Sequence, residues 1–310
     1  MKVCDLHCDL LVHLLNHPKS NAYDPESRVS IPQMKQGGVV LQTFAIFKET
    51  KPGCSVAGEK EFQIFKSLPI QYADVFPKDI RPLLAIENAS VFCDESESLD
   101  EGLARLERWA REAGPISYIS LTWDSENRFG GGNESNKGLK PDGKALLRWM
   151  DGKQIALDFS HTSDALAHDL FNQIDKLGLK IKPVASHSNF RKIVNLPRNL
   201  PDSIAKEIIR RKGVIGLNFV RRLVGSNPED FLRHVEHAEN LGGLDHLCFG
   251  ADFFNDSGPR QHPKPSYIAG FDNASCYPRL IELFRTILSE GQIEKIASGN
   301  LLQFLQIQIK

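Results

Sequence analysis

The chain has 310 residues, a formal net charge of −1 and acids and bases interspersed along its length. That balance excludes the one-signed field of a nucleic-acid binder or a membrane-surface protein, and no apolar run approaches the ~20 residues that cross a bilayer. The length admits one α/β barrel or two smaller domains; no linker or composition break divides it, so a single domain over residues 1–310 is expected.

Apolar, β-branched runs alternate with helical patterns from the start. The first strand is expected over residues 3–9, where strict alternation sends His7 and Asp9 to one face and Cys4 and Cys8 to the other. The opening ten residues are too short and too charged for the apolar core of a signal peptide. Further strands are expected at 39–47, 82–87, 116–123, 154–160, 182–187, 213–219 and 246–252. Most are continuous apolar runs, as strands buried on both faces should be. Helices are expected at 99–113, 164–177, 202–211 and 228–241, many opened by Asp, Ser or Pro and closed near Gly. Residues 280–287 and 293–305 would complete an outer ring. Eight such units, spaced by roughly 30–40 residues, fit an α/β (β/α)8 TIM-type barrel.

Two stretches lack regular periodicity: 125–142, with Gly130-Gly131-Gly132, and 255–272, with several prolines and glycines. Both follow expected strands and so would lie over the barrel's C-terminal face, where active sites of this fold sit. The triple glycine has neither the spacing nor the lysine of a phosphate-binding loop and reads as a mobile loop. Cys4, Cys8, Cys54, Cys93, Cys248 and Cys276 have no framework spacing and read as reduced, mostly buried thiols of a cytoplasmic protein. Residues 304–310 alternate apolar and polar, unlike a lipid-anchor signal.

The chemistry-bearing residues collect at strand ends. Strand one ends in His7 and Asp9, strand three in Glu87, strand five runs into His161, strand six into His187, and strand eight ends in Asp252. A lone histidine after a strand is usually structural, but six ligand-type residues on five strand ends of one barrel are hard to obtain by chance. They suit two hard or borderline divalent ions, with Glu87 spanning both and a water between them that ionises near neutral pH. The remaining histidines read as structural: His13 and His17, like His234 and His237, as solvated pairs on helices, and His246 at the barrel's bottom. His262, in the last long loop, is within reach of a substrate. Arg221 and Arg222 follow strand seven and face either the site or solvent.

Together these motifs resemble the membrane dipeptidase (renal dipeptidase) family of zinc metallopeptidases, within the amidohydrolase-like barrels. The resemblance covers nearly the whole chain. It is carried by Asp5-x-His7-x-Asp9, residues 158–163 around His161, Ser186-His187-Ser188 with Arg198-Asn199, Gly250-Ala251-Asp252-Phe253 and Gly299-Asn300-Leu301. Two departures stand out. The glycines that usually follow the bridging glutamate are Asn88 and Ala89, and the animal enzymes' Leu-Thr-His after strand four reads Leu121-Thr122-Trp123. The chain is similar to soluble bacterial relatives rather than to the secreted, lipid-anchored animal members.

The resemblance implies a dipeptidase, and a dimer, with two Zn2+ per chain. His7 and Asp9 would bind one zinc, His161 and His187 the second, and Glu87 would bridge, with a metal-bridging hydroxide attacking the peptide bond. Asp252 would carry the proton to the leaving amine. Arg198 would grip the dipeptide's free carboxylate with its guanidinium fork. Trp123 would border the acyl side of the pocket, and Asn127 or the indole of Trp123 would donate to the carbonyl oxygen in place of the missing histidine. Two rivals stand beside this reading. One is another binuclear amidohydrolase (a lactonase, phosphotriesterase-like enzyme or cyclic amidase), although those barrels usually open with His-x-His and often bridge with a carboxylated lysine. The other is a catalytically impaired barrel acting as a binding protein, since Trp cannot replace an imidazole atom for atom.

Overall fold

Parallel strands need helical crossovers, and the alternation of apolar runs with amphipathic segments supplies them along the whole chain. In a computed structural model, which describes residues 1–69, 80–257 and 264–307, the strands close into a barrel. They are β1 (Val3–Cys8), β2 (Val39–Phe47), β3 (Arg81–Glu87), β4 (Ile116–Ser120), β5 (Ala156–Asp158), β6 (Pro183–Ala185), β7 (Val214–Leu217) and β8 (Leu247–Phe249). They pair in sequence order, all parallel, and β8 returns to β1 through Asp5 and Phe249.

The α-helices among the described residues are α1 (Leu10–Asn16), α2 (Ile31–Gln36), α3 (Cys54–Ser67), α4 (Leu99–Ala113), α5 (Pro141–Met150), α6 (Asp164–Leu177), α7 (Asp202–Arg210), α8 (Arg221–Val224), α9 (Glu229–Asn240), α10 (Tyr277–Phe284), α11 (Glu290–Glu294) and α12 (Asn300–Leu305). Start and stop chemistry is visible at α4, where Ser98 and Glu101 form a reciprocal capping box, and at α6, where the Ser163 hydroxyl accepts the Leu166 N–H and Gly178 turns left-handed to end the helix.

Strands β4 to β8 stop two or three residues earlier than their apolar patterning suggests. At their ends a polar side chain captures backbone donors that would otherwise continue a ladder. Asp158 Oδ1 accepts the N–H of Ser160 at 3.0 Å and of Ser186 at 2.8 Å, and Asn218 Oδ1 that of Val220 at 2.7 Å. The first strand also departs from strict alternation. Its pairing with β2 shifts register between Val3 and Cys4 and again between Asp5 and Cys8. Cys4 and Leu6 therefore join the cluster inside the barrel, with Leu41, Tyr118 and Val184, while Cys8 joins the outer core under the helices. The expectation that Cys4 and Cys8 share a face is thus corrected. All six cysteines are free and buried.

The last helix is not one piece. Residues 293–305, expected as a single member of the outer ring, break at a π-turn over Lys295–Gly299. Asn300 then donates to the carbonyls of Leu244 (2.9 Å) and Leu247 (2.8 Å), and Leu301 enters the inner cluster as a floor to the barrel. The triple glycine is likewise packed rather than loose. A Cβ on Gly132 would lie 1.9 Å from the Trp123 carbonyl oxygen, and one on Gly131 2.3 Å from that of Lys137. This loop backs directly onto Trp123 and Asp124.

Candidate active site

Glu87, at the end of β3, is the centre of the barrel's C-terminal mouth. His161 Nε2 lies 3.0 Å and His187 Nε2 3.5 Å from its Oε1, while His7 Nε2 lies 3.2 Å from Oε2. Asp9 and Asp252 approach His7 Nε2 at 3.8 and 3.7 Å. His7 and His187 stack with ring centroids 3.7 Å apart, and the Nε2 atoms of His161 and His187 face one another at 3.0 Å. All of these side chains are buried or nearly so. The structure thus brings together the six ligand-type residues named from strand ends.

Each histidine is aimed by what holds its other nitrogen. Nδ1 of His7 meets the Tyr118 hydroxyl at 2.6 Å, Nδ1 of His161 meets Asp124 Oδ1 at 2.7 Å, and Nδ1 of His187 meets Ser186 Oγ at 2.7 Å. Ser186 in turn donates to Asp158 at 2.6 Å, which leaves its oxygen to accept from the His187 ring. With Nδ1 engaged in each ring, the three Nε2 atoms converge on one carboxylate, the arrangement in which metal-binding imidazoles are normally held.

Local backbone geometry completes the aim. The N–H of Asp252 donates to the His7 carbonyl at 3.2 Å and that of Asp9 to Phe253 at 3.0 Å, which zips the β1–β8 seam beyond the regular strands. Below it the buried Asp5 carboxylate accepts from the His7 N–H at 2.8 Å, the Ala251 N–H at 3.1 Å and the Tyr277 hydroxyl. His161 and Asp252 take left-handed backbone, with φ of 64° and 60°. Asn88, after Glu87, does the same at 68°. That explains how Asn replaces the family's glycine: Asn tolerates this conformation, and its side chain ties to the Lys48 carbonyl at 2.7 Å and to Asn127 at 2.9 Å.

The electrostatics call for positive charge. Burial pushes the Glu87 carboxyl up, but the His7 charge and the close approach of the three histidines more than offset it and hold it well below the usual range. Burial lowers His7, yet Glu87, Asp252 and Asp9 raise it to about 9. His187, buried and beside His7 and Arg198, is held well below the ordinary histidine value and is therefore neutral, the form that ligates metal. Burial, assisted by Glu87, raises Asp252 against the opposing pull of His7, Arg198 and Asn218. The buried His7 Nε2 meets no hydrogen-bond geometry among the described residues. Nitrogen and carboxylate donors in this number and chemistry fit divalent ions such as zinc.

A cavity of about 410 Å³ opens over the centre, within the ~300–1,000 Å³ typical of small-molecule sites. Trp123 lies on its wall, in the turn after β4 rather than on the strand, with its ring 5.3 Å from Phe47 and 5.9 Å from His161. Arg198 also lines it, buried, with its guanidinium donating to Ser188 Oγ and the His187 carbonyl, both at 2.9 Å.

Asn127 does not reach the cavity, which corrects its expected role as a substrate donor. Its amide nitrogen donates to Asn88 Oδ1 and the Leu121 carbonyl, and its oxygen accepts from Phe129 and Gly130, so the side chain is consumed in holding the turn. The helix histidines expected in solvent are corrected as well. His13 is buried against Ser20 and Asp24, and His234 between the Phe190 N–H and the Val224 carbonyl, both away from the centre. His262 lies outside the described residues. Sequence reasoning missed Asp124, Tyr118 and Ser186, whose only signal was a polar group on or just after an apolar strand.

A closed parallel barrel that gathers three histidines around one buried glutamate at its C-terminal mouth has the layout of the metal-dependent amidohydrolase barrels. The chain belongs to the membrane dipeptidase family, peptidase family M19, whose sequence model matches residues 1–309. It is 27% identical to dipeptidase tcpJ of Claviceps purpurea over 202 residues, 62% of this chain and 44% of that protein, so the match spans less than half of that relative. In fold it is similar to a metallopeptidase from Rhodobacter sphaeroides solved with a phosphinate mimic of the dipeptide L-Ala-D-Ala, with a TM-score of 0.80 and 20% identity over 99% of both chains. It is also similar to a family M19 metallopeptidase, dipeptidase AC, with a TM-score of 0.78 and 21% identity over 99% of this chain and 98% of that one. Among the described residues no helix is long and apolar enough to cross a membrane.

Proposed function

We propose that the protein is a zinc-dependent dipeptidase with two ions per chain. The observation that carries this reading is the common aim of His7, His161 and His187, each with Nδ1 engaged and Nε2 turned to Glu87. His7 and Asp9 would hold one ion, His161 and His187 the other, and Glu87 would join them. Bound there, the ions would polarise the scissile carbonyl and lower the proton affinity of a water.

The chain's own residues supply the rest. Asp252, oriented by Asn218 Nδ2 at 3.0 Å and raised by burial, would take the water's proton and pass it to the leaving amine. Arg198 would pair with the substrate's α-carboxylate, held in place by Ser188 and the His187 carbonyl. Trp123 and Phe47 would wall the acyl side and exclude water from it. The dipeptidase relative, and the dipeptide mimic bound by a structural neighbour, support the substrate class. The buried, unpaired cysteines support a cytoplasmic location.

Zinc-replete protein, analysed for metal and given a mixed dipeptide pool, should hold about two ions per chain and release free amino acids. At most one ion, or turnover of lactones or phosphotriesters without turnover of dipeptides, would replace this reading with the chemistry of the rival barrels.

A further inference from the structure

Beside Arg198 stands a second guanidinium that the proposed mechanism does not use. Arg222, on α8 just beyond β7, lines the same cavity and is exposed to it. Several partly buried arginines are paired, Arg28 with Asp256, Arg105 with Glu97, Arg128 with Asp142 and Arg191 with Asp164, whereas Arg222 is turned to the cavity. Arg222 has no ion pair among the described residues. The nearby acids are engaged elsewhere, Asp124 by His161, Glu87 by three histidines and Glu49 by Lys51.

The two arginines are placed together by a specific tie. Asn199, next to Arg198 and fully buried, donates its amide to the Leu223 carbonyl at 3.0 Å and to the Val194 carbonyl at 2.9 Å. Leu223 adjoins Arg222, so the loop that carries one guanidinium is stitched to the helix that carries the other. Both cations act on Asp124. One wall of the cavity therefore presents a buried, fixed fork and, beside it, an exposed and unpaired one.

We propose that Arg222 recognises a second carboxylate, on the side chain of the C-terminal residue, so that the preferred substrates are dipeptides ending in Asp or Glu. This deepens the dipeptidase reading and rests on it. A ligand end that carries both an α-carboxylate and a side-chain carboxylate matches two adjacent guanidinium groups, and each planar fork suits a carboxylate better than an ammonium would. Lys48, across the cavity and without an ion pair among the described residues, adds to the field that draws an acidic substrate in.

The test compares Ala-Glu with Ala-Gln and Ala-Asp with Ala-Asn, in L,L and L,D forms, on the zinc-loaded full chain. The acidic member of a pair should have the higher kcat/KM, by about tenfold, as expected for one charge-assisted contact at a partly solvated site. In Arg222→Gln that ratio should collapse towards one, and in Arg222→Lys part of it should remain. Added salt should reduce it in the parent. An unchanged ratio in Arg222→Gln, or a parent that does not favour the acidic member in either stereochemical series, overturns the role of Arg222 while leaving the dipeptidase reading in place. A parent that hydrolyses none of these dipeptides removes that reading, and this inference with it.

Discussion

Asp124 Oδ1 lies 2.7 Å from Nδ1 of His161, and this contact decides which nitrogen of the ring faces Glu87. Burial raises the Asp124 carboxyl, but its bond to His161 and the charges of His161, Arg198 and Arg222 bring it below the ordinary range, so it is an acceptor at neutral pH. Asp124→Ala should weaken zinc binding by about 10–100-fold, the usual effect of removing a group that orients a metal-binding imidazole. Asp124→Asn should lose less, since its amide oxygen still accepts. Competition against a chromogenic chelator measures both, and equal affinity in the Ala variant and the parent would reduce Asp124 to a packing residue.

Arg198 makes two fixed bonds, to Ser188 Oγ and to the His187 carbonyl. Arg198→Lys keeps the charge but cannot reproduce that geometry. Efficiency on dipeptides should fall by roughly 10–100-fold, equivalent to about 1.5–3 kcal/mol for a hydrogen bond to a charged group. Discrimination between free and C-terminally amidated dipeptides should fall as well. A variant that discriminates as well as the parent would exclude the contact.

Trp123 borders the cavity against Phe47 and His161. Trp123→His opens that wall while leaving every nitrogen and carboxylate around Glu87 in place. Preference among N-terminal side chains should shift by several-fold to about a hundredfold, the range over which pocket volume discriminates, with zinc content unchanged. A preference profile identical to the parent's would show the indole to be filling space only.

Glu61, on α3, is fully buried, and its Oε2 accepts the Phe47 N–H at 2.8 Å. Burial first, then the negative charges of Asp9 and Glu87, raise its carboxyl well above the ordinary value. A raised acid stabilises the fold in its protonated form, so this contribution is complete below the unfolded-state pKa and is lost as pH rises through the folded-state value. Chemical denaturation of metal-free protein should show stability declining with pH above the ordinary glutamate range, and Glu61→Gln, which keeps the Phe47 bond, should flatten that decline. Parallel pH profiles for parent and variant would contradict the assignment.

The barrel was legible because buried parallel strands write themselves as apolar runs at a steady spacing, and His7, Glu87, His161, His187 and Asp252 interrupt those runs at one end. What failed were inferences that needed local backbone geometry. Residues 3–9 carry the pattern of regular alternation, but the register of the strand shifts and Asp9 stands at the N-cap of α1. Asn127 looked like a donor because it follows strand four, yet a buried turn claims both ends of its amide. Asp124 and Tyr118 support the histidines only through closure of the barrel, which sets residues distant in sequence beside one another.

The left-handed backbone at His161 and Asp252 sets stability against chemistry. An L-residue with a side chain gives up about 1–2 kcal/mol in that conformation relative to one without. Glycine at either position would relieve that backbone cost only by removing a nitrogen or a carboxylate that the mouth needs, and would take a partner from Asp124 and Glu87, or from Asn218. The strain is therefore built into the mouth, and a thermostable form that keeps the chemistry has to be sought at positions such as the helix surfaces, where the backbone is already relaxed.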